Sequence, residues 1–231
     1  MGKRILREWR YDIRSLGFEF YAPAVFLGFL VAVNLVLLLL MRIRMGGEMY
    51  TFLFLTLQVY MPASAVIWSA ALMRDVFETP GGDLFLTYHR SRRYWGVRRQ
   101  LRGFAVSAVC VAVVDGFFSL YTRQSFFPAQ FLLHLGQGFF IMGLSFLAFA
   151  LSGKTVIAYA VPAVYICCVR ILGKPNLSSL FAYPIIQSIS IYSSQEYEAV
   201  NMMEALPMLI RCGAGGLAFF LIGQFIVELK N

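Results

Sequence analysis

Long uncharged runs alternate with short charged ones along this chain, and the alternation predicts membrane-crossing helices. Phe20 to Met41 holds no charged residue over 22 positions, and Met49 to Met73 none over 25. Each exceeds the roughly 20 residues that a helix needs to cross about 30 Å of hydrocarbon. Gly103 to Thr122 is a third such run, interrupted only by Asp115. From Gln124 to Gly153 there are 30 positions without Asp, Glu, Lys or Arg, enough for a fourth span and an outer turn near Pro128. Thr155 to about Leu172 makes a shorter fifth span with Arg170 near its end, and about Leu206 to Val227 a sixth with Arg211 near its start.

The intervening segments differ in kind. Residues 1–19 place Ile5, Leu6, Trp9 and Ile13 near helical spacing with arginines between them, the pattern of an amphipathic helix lying along a membrane surface. Residues 74–102 form a long polar island carrying Arg74, Arg90, Arg92, Arg93, Arg98, Arg99 and Arg102 against Asp75, Glu78 and Asp83. Residues 173–205 begin apolar and Ser-rich and are broken by Pro184. Broken backbone at membrane depth must be covered by protein or face water, so this stretch reads as a re-entrant or interfacial pair of short helices on the outer side.

Composition agrees with a membrane class. Hydrophobic residues make up 59% of the 231 and charged residues 14%, whereas soluble domains average roughly 45–50% and about 25%. Mean hydropathy is +0.70. The expected architecture is all-α and integral to the membrane, a single domain over residues 1–231 with six transmembrane helices. Lys and Arg favour cytosolic loops. With both termini in the cytosol, 14 of the 20 basic residues fall on the inner side, which selects a multi-pass plasma-membrane protein with N-in, C-in topology. The net charge of +8 is then explained by anionic lipid, with no nucleic-acid partner.

Catalytic patterns are absent from the sequence. Ser152-Gly153-Lys154-Thr155 resembles the end of a phosphate-binding loop, but the Walker pattern needs Gly where Ala148 stands. It reads as a tight inner turn between the fourth and fifth spans. Cys110, Cys167, Cys168 and Cys212 lack ligand spacing and read as small core residues. Asp115 and His134 are intramembrane polar residues, each seven positions from the outer loop at 122–127. Equal depth would allow a structural contact between them, or a role in passage of substrate or protons. An intramembrane enzyme using Asp115 and His134 as acid and base is the alternative function, a non-transporting scaffold another. The small residues Gly213, Ala214, Gly215, Gly216 and Ala218 predict close packing of the sixth span against a neighbour, in this chain or another.

The polar island also carries a family resemblance. Glu78 followed by Asp83-Leu84-Phe85-Leu86-Thr87-Tyr88-His89-Arg90-Ser91-Arg92 is similar to the acid and the E-L-L-L-S-L-P-V-S-R portion of membrane subunits of the type-2 ABC export family. Pro80-Gly81 and His89 depart from that pattern. The order of elements matches as well. The resemblance implies a permease subunit that pairs with a second copy of itself or a paralogous subunit and recruits a separate ATP-binding subunit. It implies a cytosolic coupling helix between spans two and three. Leu84, Phe85 and Tyr88 would be its apolar anchors, with Glu78, Asp83, Arg90, Arg92 and Arg93 setting orientation. ATP and Mg would sit on the partner, with no cofactor and no enzymatic motif on this chain. With so little extramembrane mass, the expected cargo is amphipathic or hydrophobic, with toxin or antimicrobial peptides favoured. The build is similar to exporters of phenol-soluble-modulin type.

Overall fold

Helices account for all the regular structure in the computed structural model, which describes residues 9–10, 13–14, 17–40, 60–74, 78, 94–122, 127–172 and 202–229. No strand occurs among the described residues. Helix α1 is Phe18–Leu40, and α2 covers residues 60–74. A wide π-type turn at Tyr94–Arg98, bent at Gly96, leads into α3 at Arg99–Thr122. Then follow α4 (Phe127–Ser152), α5 (Thr155–Leu172) and α6 (Met202–Leu229). These bounds follow the uncharged runs closely, because the runs are what a helix can bury or give to lipid. Two portions, Phe131–Ser152 and Leu209–Leu229, are long and apolar enough to cross a membrane. Tyr21–Val33 and Thr155–Cys168 are shorter apolar helical stretches. The segment 173–205, expected on the outer side, lies outside the described residues except for the start of α6.

Helix α4 is the central post. It is mostly buried, and α6 runs parallel along it. Three levels fix this direction. Gly136 lies against Leu209 and Cys212, Gly143 against Gly216, and Gly223 against Phe146. At the middle level a Cβ added to Gly143 would come 2.7 Å from Gly216 O and 3.2 Å from Gly216 Cα. Backbones can approach this closely only where neither residue carries a side chain. Of the small residues on α6, Gly216 and Gly215 pack within the chain, against Phe139 and Phe140 of α4, whereas Ala214 and Ala218 are exposed. Aromatic rings fill the rest of the seam. Phe139 meets Phe220 at 5.1 Å and Phe104 at 5.5 Å, and Phe146 meets Phe220 at 5.8 Å, within the 4.5–7 Å range of favourable ring pairs.

The remaining helices alternate in direction. Ser152, Gly153 and Lys154 turn α4 into antiparallel α5, with Gly153 at φ +68° and its N–H donating to Phe149 O at 2.7 Å. This is a left-handed helix cap, the kind glycine supplies without steric cost. The Ser152 hydroxyl donates to Ala148 O and accepts from Lys154 N–H, so the tetrapeptide is the tight turn its sequence suggests. Between α2 and α3 the Ser64 and Ser107 hydroxyls bond at 2.9 Å. Gln100 Nε2 donates to Ser69 O at 3.0 Å, which makes this pair antiparallel too. The end of α2, the start of α3, the α4–α5 turn and the end of α6 thus gather at one pole.

Outward faces are apolar. Phe18, Val25 and Phe29 of α1, Val109 and Val113 of α3, Val156 and Val164 of α5, and Leu217, Leu221 and Phe225 of α6 are all exposed. Before α1, Trp9 and Ile13 are half-buried while Arg10 and Arg14 are exposed, and Gly17 at φ +53° closes that short helix. The two-faced character expected of the N-terminal segment holds at these positions. One expectation fails: Cys212 is buried, but Cys167 and Cys168 are exposed. They fall on the outward side of α5, which has α4 on its other side.

Candidate functional site

The pole where helix ends gather holds both stems of the polar island. Among the predicted coupling residues, Glu78 is described and exposed. Asp83, Leu84, Phe85, Tyr88, Arg90, Arg92 and Arg93 lie outside the described residues. His134 is fully buried on α4. Asp115 lies on α3, and its side chain is outside the described residues, so the pairing of these two falls outside them as well.

Each stem is fastened to a different helix. On the first, Glu78 N–H donates to Arg74 O at 2.9 Å, which holds Glu78 at the end of α2. Its carboxylate then accepts from Thr155 N–H, the first residue of α5, at 2.6 Å. The first N–H groups of a helix have no partner within it, and they carry the positive end of the helix dipole. A carboxylate there is a short, charge-assisted cap. Lys154 O accepts from Ile157 and Ala158 N–H, so the turn residues and Glu78 together complete the start of α5.

On the second stem, Val97 N–H donates to Gln224 Oε1 of α6 at 3.2 Å. Gln224 is held in turn by its Nε2 donating to Glu228 Oε1 at 3.0 Å, one helical turn on. Gly96 makes room for this contact. A Cβ there would overlap the Gln224 amide oxygen. Behind the stem, Arg99 is fully buried and its Nη1 donates to Leu72 O at 2.7 Å, close to the end of α2. Arg99 belongs to the charged island by sequence, yet it is a structural tie rather than part of a solvated rim.

Sequence reasoning missed Thr155, Gln224, Arg99 and Gln100 as members of this site. Gln224 carried one available signal, a polar residue within the apolar stretch that follows Arg211 in α6. Charge around the site is positive, with Arg74, Arg98 and Lys154 all exposed. No cluster of three or more metal-ligating side chains occurs among the described residues. Among the described residues, the site gathers no nucleophile set. The two ties would carry a force applied to the island's stems into α5 through Glu78 and into α6 through Val97. Comparison with known proteins finds no matching family model, curated protein or solved structure.

Proposed function

We propose that this chain is the membrane-spanning subunit of an ATP-driven exporter of the type-2 ABC kind. It crosses the membrane six times with both termini in the cytosol, and its polar island docks on a separate ATP-binding subunit. The observation that carries the reading is the fastening of the island's two stems to two different helices, Glu78 to α5 and Val97 to α6. A loop that merely linked two spans would need neither tie. The seven arginines of the island, the apolar outward faces and the family-like order from Glu78 to Arg92 support the same reading. In it, closure of paired ATPase subunits pushes Leu84, Phe85 and Tyr88, and the stems pass the movement into the membrane. A second membrane subunit, identical or paralogous, completes the path, and amphipathic peptide is the favoured cargo.

The test is to purify the chain with its bound proteins from its own cells in mild detergent. An ATP-binding subunit should come with it, and ATP hydrolysis should depend on residues 83–93. A chain that purifies without any ATPase, at full yield and correctly folded, would remove the exporter reading.

A further inference from the structure

Helix α5 contains a proline inside its helical run, Pro162, which has no N–H to give. The carbonyl four residues earlier, Ala158 O, therefore lacks its helical donor, and within a buried region such a carbonyl must find another. Ser145 of α4 supplies it, its hydroxyl donating to Ala158 O at 2.9 Å. Ser145 and Ala158 are both fully buried, and Pro162 is buried as well. The backbone ladder of α5 is thus interrupted at one place, and the interruption is closed by a side chain on a different helix.

This interruption lies just beyond the residue that Glu78 caps. Thr155 is held by Glu78 at the start of α5, and Ala158 is held by Ser145 one turn later. The outer side of the same segment, at Val156, Ile157 and Ala160, is exposed. Its support, α4, is locked to α6 by the glycine crossing at Gly143 and Gly216. A short stretch of helix is therefore gripped by the polar island at its start, beside the turn from α4, and it is joined to the rest of α5 where one ladder bond is missing.

We propose that α5 hinges at Ala158–Pro162, with Ser145 as the positioning residue that sets the hinge and Thr155–Ile157 as the lever that Glu78 moves. The hinge stands on the Ser145 and Pro162 geometry alone. The lever's role in transport rests on the exporter reading above.

Two arms separate these. In the first, the full-length chain in lipid nanodiscs is compared by hydrogen exchange across residues 155–161. Ser145→Ala should speed exchange there about fivefold, the equivalent of one lost hydrogen bond. Pro162→Ala restores the helical donor, so adding Ser145→Ala to it should change exchange less than twofold. Equal effects of Ser145→Ala in both backgrounds would overturn the hinge, since coupled residues must be non-additive. Glu78→Ala should likewise speed exchange at the start of α5, whereas Glu78→Gln, which keeps an acceptor oxygen, should not. Equal behaviour of those two variants would overturn the grip. In the second arm, wild type and Pro162→Ala are reconstituted with the co-purified ATPase and a fluorophore-labelled amphipathic helical peptide. Pro162→Ala should keep the ATPase and its hydrolysis rate while peptide export falls at least fivefold. Unchanged export would overturn the lever. A wild-type chain that binds no ATPase would overturn the exporter reading instead, leaving the hinge to the first arm.

Discussion

The guanidinium of Arg99, fully buried, donates to the Leu72 carbonyl at 2.7 Å and so ties the start of α3 to the end of α2. The last carbonyls of a helix have no donor of their own, and the negative end of its dipole favours a cation. Removing one partner of such a buried contact leaves the other unsatisfied. Arg99→Leu should destabilise the purified chain by about 1–3 kcal/mol. Arg99→Lys, which keeps the charge on a similar stem, should recover part of the loss. Thermal unfolding in detergent measures both, and a neutral Arg99→Leu would contradict the tie.

Glycine positions on α4 and α6 predict opposite outcomes for similar changes. Gly143→Val would drive methyl groups into the Gly216 backbone, which cannot move without shifting α6. Overpacking of this kind costs about 1–3 kcal/mol and should lower the unfolding midpoint clearly. Gly213→Ala meets nothing within 4 Å, so it should be neutral or stabilising by about 0.5–1 kcal/mol through helix propensity. If both variants melt alike, the crossing at Gly143 and Gly216 is not as close as described.

Orientation can be checked by impermeant thiol labelling of intact cells, in a background where Cys110, Cys167, Cys168 and Cys212 are replaced. Cysteines at Ser178 and Ser194 should label from outside, and one at Ser91 should not. Because the stems of the polar island share a pole with the end of α6, a cysteine at Asn231 should stay unlabelled together with Ser91. Labelling at Ser91 would invert the topology.

The island's apolar anchors should matter more than its arginines. Truncating a buried aromatic anchor commonly costs about 2 kcal/mol or more at an interface, whereas charges at its rim cost less. Phe85→Ala combined with Tyr88→Ala should weaken ATPase retention at least tenfold, with the fold intact by circular dichroism. Full retention and full export in that double variant would exclude the island from the mechanism.

Asp115 is the one acid within the run from Gly103 to Thr122. Asp115→Asn keeps hydrogen-bonding capacity and Asp115→Leu does not, so the amide should be better tolerated, by about 0.6–2 kcal/mol. Expression level and unfolding midpoint of the two variants, each with and without His134→Ala, would show whether the residues are coupled. Additive effects would mean that they act separately.

Much of the helical layout was legible because it depends on nearest-neighbour information. The apolar run from Thr155 to Leu172, with Arg170 near its end, coincides with α5, and Gly153 announces its turn. The Ser145 contact was legible in principle. Pro162 names the orphaned carbonyl as Ala158, and the turn at Gly153 and Lys154 names α4 as the helix beside it, although Ser145 stands eight positions before Gly153 and Ala158 four after Lys154. The two ties of the polar island were not legible. Glu78 and Thr155 are 77 residues apart, and Val97 and Gln224 are 127 apart. Nothing in the charge pattern says which helix end a given acid will cap. Arg99 misled for a related reason: by sequence it belongs to a solvated cluster, and only the arrival of α2 beside it turns it inward.

The parallel seating of α6 on α4 bears on how the protein is made. Gly136 and Gly143 line a groove on a helix that leaves the ribosome well before residue 216 exists, and α5 and the stretch to residue 201 come between. During that interval the central post lacks the neighbour whose backbone comes closest to its own. Quality control that surveys nascent membrane proteins would meet this groove in any product arrested before α6, and such products should be degraded rather than accumulate. The groove of α4 is therefore covered only once the last of the described helices has been synthesised.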